Sequence, residues 1–244
     1  MTLRETLVIA AHGTRSQAGL ATIEEIADRV RIRRPGISVH VGYLDVAVPT
    51  LAETLARVHG PACVVPLLLG HGYHASVDIP TVVGTRPSAA VTAVTPVLGA
   101  DPRLVDALVD RLAEVRTLTP DDTVILAAAG SRDPRSASAT ESLARLLARR
   151  IDAPVDVAYA AARSPRAAEA VDAVRGRGRR PVLATLLLAP GYFADVIAAA
   201  GADAVTAPLG GHPAIVDLVL ARYDAARQKL LVDRKPCSKQ LLQV

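Results

Sequence analysis

The chain has 244 residues, half of them apolar, a formal net charge of +4 and only two cysteines. This composition excludes a disordered chain and a disulfide framework, and no apolar run approaches the ~20 residues of a membrane-spanning helix. With five tyrosines, one phenylalanine and no tryptophan, the chain also lacks the aromatic platforms on which proteins usually stack single-stranded nucleic acids. Its first residues show no apolar signal region. We therefore expect a cytoplasmic protein that binds neither nucleic acid nor membranes.

Short β-rich runs alternate with helical patterns along the chain, which is typical of parallel sheets with crossover helices. In the first half we predict strands near 5–11, 37–43, 62–68 and 90–95, and helices near 17–33, 49–59, 76–84 and 101–116. In the second half we predict strands near 122–128, 154–160, 181–188 and 203–207, and helices near 136–150, 165–176, 192–200 and 213–230. Pro49 and Pro165 are each placed in the first turn of a helix, where their missing N–H costs little.

Two segments of the first half recur about 117 residues later. The recurring pairs are LVIAAHGTR at 7–15 with VILAAAGSR at 124–132, and LLLGHGYH at 67–74 with LLLAPGYF at 186–193. Glycine, tyrosine and arginine recur, whereas His12 and His74 correspond to Ala129 and Phe193. Backbone requirements explain the recurring glycines but not the loss of both histidines. The asymmetry therefore predicts one reactive half and one supporting half.

These patterns predict an α/β fold of two similar lobes. Each lobe is expected to be a four-stranded parallel sheet flanked by helices, in the three-layer manner of flavodoxin-like and Rossmann-type folds. We place an N-terminal lobe that carries the metal site at 1–118, a degenerate repeat at 119–230 and a disordered tail at 231–244. All three lysines of the chain lie within the last 16 residues, which sets the tail apart from the arginine-rich body. Because two fused units supply both lobes, we expect a monomer or a weak homodimer.

Side chains suited to metal binding or proton transfer follow three successive strands of the first half. His12 comes one residue after the first strand, Asp45 two residues after the second, and His71 and His74 shortly after the third. The carboxyl ends of parallel strands meet at one edge of a sheet, so these residues share a rim. Imidazole and carboxylate together suit a borderline divalent metal. Simpler interpretations stay open: loop histidines held by hydrogen bonds, and Asp45 as the cap of the next helix.

A possible anion-binding segment follows His12. Gly13 and Thr14 lie at a turn before a helix, where backbone N–H groups and the helix dipole favour negative charge. Arg15 and its repeat partner Arg132 are candidates for substrate binding. Packing or ion pairing inside the fold explains these two arginines equally well.

Several enzyme classes lack their motifs in this chain. No GxGxxG opens a strand–helix unit and no GxxxxGK[ST] or GxSxG is present, so we expect no ATP and no other nucleotide. A phosphatase or mutase with a phosphohistidine remains an alternative for the loop after the first strand, although Ala11 stands where a phosphoglycerate-mutase-like enzyme has arginine. We interpret His40, His59 and His212 as structural, the last as a helix cap.

The combined motifs resemble the sirohydrochlorin chelatases, class II enzymes that insert a divalent metal into a sirohaem or cobalamin precursor without ATP. The resemblance rests on segments 11–15, 42–45 with 49–51, and 66–80. It is dense over residues 5–116 and weaker over 122–228, as the two-repeat form of that family implies.

The resemblance implies a role for each candidate residue. His12 and His74 would bind the metal and take up pyrrole protons, assisted by Asp45, which stands where a glutamate is common in the family. The macrocycle is a polycarboxylate, and its expected partners are Arg15, Arg132, Arg163 and Arg166. We expect the divalent metal to be a substrate, with Fe²⁺ the first choice and Co²⁺ the second. A non-enzymatic carrier of metal or tetrapyrrole is the alternative.

Overall fold

A computed structural model describes residues 6–86 and 91–233, with the side chains of 6–86 and 91–228. The first half contains a four-stranded parallel sheet in the order β2–β1–β3–β4. Its strands are β1 (Thr6–Ala11), β2 (Ser38–Tyr43), β3 (Ala62–Leu67) and β4 (Thr92–Val94). Its helices are α1 (Gln17–Arg33), α2 (Leu51–Arg57), α3 (Ile79–Gly84) and α4 (Pro102–Val115), with a π-helical turn (His74–Asp78) before α3.

The second half repeats this arrangement with a parallel sheet in the order β6–β5–β7–β8. Its strands are β5 (Asp122–Ala128), β6 (Val155–Tyr159), β7 (Arg180–Leu186) and β8 (Ala204–Val205). Its helices are α5 (Pro134–Ile151), α6 (Ala167–Gly176), α7 (Tyr192–Ala198) and α8 (Pro213–Asp233). The α/β class with two similar lobes is confirmed, and the predicted elements all occur close to their expected places.

The predicted position of two prolines is wrong. Pro49 and Pro165 precede their helices in cis peptide bonds and lie outside the first turn. The reason is local capping. Thr50 is the N-cap of α2, where its hydroxyl accepts from the Glu53 N–H at 3.2 Å and the Glu53 carboxylate accepts from the Thr50 N–H at 2.8 Å. Helix α6 likewise begins only after residue 166.

The two lobes share one hydrophobic core. Residues of β1 are almost completely buried, as expected for a parallel strand covered on both faces. One side of each sheet carries a small cluster under the outer helices, α2 and α3 in the first lobe and α6 and α7 in the second. The other sides face each other across α1, α4, α5 and α8, whose apolar residues form a single cluster with both sheets.

The last helix of each lobe packs on the sheet of the other lobe. Helix α8 lies against β3 and β4, whereas α4 lies against β7. Matching arginines fix this exchange: Arg222 of α8 donates to the Leu98 carbonyl at 2.8 Å, and Arg111 of α4 donates to the Leu209 carbonyl at 3.1 Å. The boundary at 118/119 stays a prediction, but neither lobe buries its sheet without a helix from its neighbour.

Helix α8 continues to Asp233, so residues 231–233 of the predicted tail are helical, and residues 234–244 lie outside the described residues. Within 6–86 and 91–233, no helix has both the length and the apolar character needed to cross a membrane.

Candidate functional site

The loops after β1 and β2 are locked together at the carboxyl edge of the first sheet. The Asp45 N–H donates to the His12 carbonyl at 2.9 Å. Gly13 has φ +95°, and a Cβ there would lie 1.9 Å from the Asp45 carbonyl oxygen. Glycine is therefore required for this close approach. The same contact joins Gly130 and Ala161 in the second lobe, so the recurring glycines are explained by the backbone.

The carboxylate of Asp45 turns back onto its own loop. Its Oδ1 accepts from the Val46 N–H at 2.8 Å, and the Ala47 N–H donates to the Asp45 carbonyl at 2.7 Å. Val46 thereby adopts φ +48°, which a β-branched residue rarely does. The interpretation of Asp45 as a helix cap is wrong, because Thr50 caps α2. Asp45 stays exposed at the rim of the site.

The two candidate metal ligands meet at this edge of the sheet. The imidazole rings of His12 and His74 have their centroids 4.5 Å apart and their planes tilted by 46°. Strands β1 and β3 are hydrogen-bonded neighbours, so their carboxyl ends deliver the two rings side by side. Both rings reach solvent, His12 more than His74. The two rings are therefore direct neighbours, as the prediction of a shared cation requires.

A carboxylate orients the second ring. Asp78 Oδ2 lies 2.6 Å from His74 Nδ1, at opposite ends of the π-helical turn. A neutral His74 that donates Nδ1–H to Asp78 keeps its Nε2 lone pair free, which is the usual arrangement behind a metal-binding histidine. Sequence reasoning missed this role of Asp78. Its four-residue spacing from His74 was the available signal, since such residues face each other on a helix.

Electrostatics favour the neutral form of His12. Desolvation by the surrounding loops lowers the pKa of this ring, and the nearby His74 lowers it further. The negative charge of Asp45 acts in the opposite direction and partly offsets both effects. The result is a pKa below the ordinary value, so His12 keeps a lone pair available near neutral pH.

Asp45 does not join the two histidines as a third ligand in this structure. Over the described ranges, no three side chains of histidine, cysteine, aspartate or glutamate come close enough together to hold one ion. Asp45 is close enough to His12 to influence its pKa, yet its Oδ1 is engaged by Val46. The geometry therefore brings two imidazoles together with the Asp45 carboxylate near them, and their role as metal ligands stays a prediction.

The second lobe contacts the segment that follows β3 by two hydrogen bonds. Ser131 donates its hydroxyl to the His71 carbonyl at 3.2 Å, and Arg135 donates to the Ser76 hydroxyl at 3.0 Å. His71 also lies near enough to Asp133 for its charge to lower the pKa of that carboxyl, after the larger effects of hydrogen bonds from Arg135. His71 is thus placed at the contact between the lobes, three residues before His74.

The four predicted substrate arginines share one property. None of them forms an ion pair with a carboxylate in the part of the chain that the structure describes, unlike many other arginines of the protein. Arg163 and Arg166 donate to carbonyls of Ser131 and Ala160, at 3.3 and 3.0 Å, whereas Arg15 and Arg132 are exposed. Their positive charge is therefore available to an external anion.

Some of the hydrogen-bonding groups at the start of α1 already have partners within the chain. Thr14 Oγ1 accepts from the Ser16 N–H at 3.1 Å, and Ser16 Oγ accepts from the Gly19 N–H at 3.2 Å. Ser16 is consequently the N-cap of α1. The roles of Gly13 and Thr14 towards a ligand stay predictions.

The remaining histidines lie elsewhere. His212 Nδ1 accepts from the Ala214 N–H at 3.2 Å, and its Nε2 lies 3.1 Å from Asp110 Oδ2. This histidine caps α8, as the sequence suggests. His40 and His59 are exposed, on β2 and after α2.

Comparison with known proteins gives a consistent result over nearly the whole chain. The CbiX family model matches residues 6–115 and again 123–226. A sirohydrochlorin cobaltochelatase of Methanopyrus kandleri is 27% identical over 136 residues, covering 44% of this chain and 94% of that protein.

Two solved structures share the fold. SirB from Bacillus subtilis with Fe³⁺ is 20% identical with a TM-score of 0.80, covering 93% of this chain and 97% of that one. SirB from Bacillus subtilis subspecies spizizenii in complex with cobalt is 18% identical with a TM-score of 0.74, covering 92% and 96%. The double match of the family model agrees with the two lobes seen in the structure. The chain belongs to the CbiX family of sirohydrochlorin chelatases.

Proposed function

We propose that this metal chelatase inserts a divalent ion into sirohydrochlorin, with Fe²⁺ preferred and Co²⁺ second. His12 and His74 hold the ion, and the same imidazoles take up pyrrole protons. The observation that carries the proposal is the 4.5 Å approach of the two rings at an open edge of the sheet.

The chemistry requires a weakly held ion. Insertion exchanges water and protein ligands on the metal for four ring nitrogens, and it releases two pyrrole N–H protons. Two imidazoles bind a borderline divalent metal firmly enough to present it, and the small number of protein ligands lets it leave. Neither ATP nor another nucleotide takes part in the proposed reaction.

Proton transfer uses the same residues. Because its pKa is lowered, His12 is neutral near pH 7 and accepts a proton once the metal has moved to the macrocycle. Asp45, beside His12, stabilises the imidazolium that forms. Asp78 fixes the His74 ring so that Nε2 faces the ion.

The second lobe supplies charge rather than metal ligands. Arg132, Arg163 and Arg166 come from the loops that correspond to those of His12 and Asp45, and Arg15 lies beside His12. Guanidinium groups bind carboxylates in a bidentate manner, which suits the acidic substituents of the tetrapyrrole. The lobe that lost its histidines therefore holds the substrate over the lobe that kept them.

The relatives are associated with both metals, and the order of Fe²⁺ before Co²⁺ is part of the proposal. SirB structures hold Fe³⁺ in one case and cobalt in another, and the Methanopyrus kandleri relative is a cobaltochelatase. Imidazole ligands accept both metals. Anaerobic competition between equal concentrations of Fe²⁺ and Co²⁺ tests the preference, with the iron product expected to form first.

Absorption spectroscopy tests the function itself. Purified protein is mixed with a large molar excess of sirohydrochlorin and Fe²⁺ or Co²⁺, and the visible spectrum is followed. We expect many turnovers above the rate without protein. A spectral change that stops at one equivalent indicates the carrier alternative, and an unchanged rate contradicts the proposal.

A further inference from the structure

The five tyrosines of the chain fall into two groups. Tyr43, Tyr159 and Tyr223 are buried, with 3%, 4% and 2% of their surface exposed. Tyr73 and Tyr192 are 70% and 76% exposed. A large aromatic side chain on the surface forgoes most of the stabilisation that its burial provides. The two exposed rings are thus available to an external partner.

Tyr73 and Tyr192 occupy equivalent positions in the two lobes. Tyr73 directly precedes His74 after β3, and Tyr192 directly precedes Phe193 after β7. The second lobe has phenylalanine in place of the histidine, yet its tyrosine is retained and equally exposed. Backbone geometry does not require an aromatic side chain at either position.

The loops that carry both tyrosines lie where the lobes meet, and Tyr73 directly precedes His74. The glycine before Tyr192 lies against Thr14, since a Cβ on that glycine would be 3.4 Å from Thr14 Oγ1. On the other side, the loop before Tyr73 accepts a hydrogen bond from Ser131 at the His71 carbonyl, at 3.2 Å. One tyrosine therefore comes from each lobe to the same seam.

A neighbouring side chain limits the freedom of the Tyr192 ring. The rings of Tyr192 and Phe193 have centroids 5.6 Å apart and are tilted by 58°, a favourable arrangement for an aromatic pair. Phe193 itself packs against the outer cluster of the second lobe. Tyr192 is consequently presented to solvent from a fixed support.

We propose that Tyr73 and Tyr192 bind the tetrapyrrole macrocycle by aromatic contact, one ring from each lobe, and so position its pyrrole nitrogens over His12 and His74. This inference rests on the proposed function. The two side chains recognise the flat, conjugated part of the substrate, whereas the arginines recognise its carboxylates. A planar macrocycle without acidic groups should therefore still bind to the two tyrosines.

The test measures macrocycle binding without metal. Titration of metal-free sirohydrochlorin against Tyr73→Ala and Tyr192→Ala, followed by absorbance, should show Kd raised about tenfold in each, equivalent to about 1.4 kcal/mol. The double variant should be weaker than either single one. Tyr73→Phe and Tyr192→Phe should retain wild-type affinity, because the ring face and not the hydroxyl makes the contact.

Controls separate this role from folding and from metal binding. Ile32→Ala removes a similarly exposed apolar side chain, 78% exposed near the end of α1, and should leave Kd unchanged. Thermal unfolding and Co²⁺ affinity should be the same in all variants. In steady-state assays KM should rise and kcat should change less, since the lost contact stabilises the bound substrate and the transition state equally.

Each result bears on the tyrosines separately from the chelatase reaction. Wild-type affinity in the double alanine variant overturns the inference, while turnover in the same protein leaves the proposed function intact. Macrocycle binding that depends on the tyrosines without any metallated product supports the inference and contradicts the proposed function. A wild-type dimer that the double variant converts to monomers, with macrocycle affinity unchanged, identifies a self-association surface and overturns the inference.

Discussion

The rings of His12 and His74 lie 4.5 Å apart although their loops follow different strands. The contact depends on β1 and β3 being paired in parallel, with Ala11 opposite Leu67 at their ends. Any ion held by both rings would therefore be positioned by two neighbouring strands of the sheet. The corresponding positions of the second lobe, Ala129 and Phe193, contain no metal ligand.

Removal of either histidine should abolish metal insertion. His12→Ala and His74→Ala each leave one imidazole. Loss of a residue that only hydrogen-bonds to a metal ligand already costs up to about 100-fold in metal affinity or activity. Loss of a ligand itself should therefore lower Co²⁺ affinity and turnover at least ~100-fold. Calorimetric titration with Co²⁺ and the absorbance assay measure the two effects. Wild-type rates in both variants would contradict the assigned roles.

His212→Ala is the matched histidine control. His212 caps α8 and contacts Asp110, far along the chain from the paired rings. We expect unchanged turnover together with a stability loss of about 1 kcal/mol from the missing cap. Denaturant unfolding and the insertion assay on the same preparation separate these effects.

Asp78 should matter through the orientation of His74. In Asp78→Asn the acceptor for Nδ1–H loses its charge, so Co²⁺ affinity should fall by about 10- to 100-fold without unfolding. Asp110→Asn changes the same kind of aspartate–histidine contact, at His212, and should leave Co²⁺ affinity unchanged. Equal effects of the two substitutions would show that Asp78 has no special role.

Much of this architecture could be predicted from the sequence. Continuous apolar runs marked the strands, because parallel strands are buried on both faces. Helical periodicity in the segments between them marked the helices. The repeat identified His12 and His74 by comparison with Ala129 and Phe193. Strand-end geometry then predicted that the two histidines share a rim, and the structure brings them together.

Other features depend on contacts that no local pattern contains. The exchange of α4 and α8 between the lobes arises from packing across the chain, and no local pattern predicts the cis bonds before Pro49 and Pro165. The engagement of Asp45 by Val46 depends on a backbone angle, φ +48°, that β-branched residues disfavour. The contact between Asp78 and His74 could be predicted only if the turn that begins at His74 was known to be helical.

The titration of His12 offers a test without metal or macrocycle. Its NMR titration should show a pKa below 6.5, because desolvation and His74 disfavour the imidazolium. Asp45→Asn removes a charge that raises this pKa and should lower it further, whereas His74→Ala should raise it. Protons compete with metal at this nitrogen, so Co²⁺ affinity should fall as the pH drops through the His12 pKa. Shifts of opposite sign would refute this electrostatic account.

The unpaired arginines should act on the substrate and not on the metal. Arg132→Gln and Arg163→Gln should each raise KM for sirohydrochlorin by about three- to tenfold, with Co²⁺ affinity unchanged, since one charge-assisted contact is lost. Raised salt should weaken macrocycle binding by the wild type more than by these variants. Arg149→Gln on the exposed surface of α5 is the control, and a KM increase as large as theirs would refute specific recognition.

The most direct test of the central claim is the structure of the protein with Co²⁺ or Fe²⁺ bound, in crystals or by X-ray absorption. The account predicts one ion with a nitrogen of His12 and Nε2 of His74 both about 2.1 Å away. An ion bound by only one of these histidines, or at another place in the protein, would contradict it.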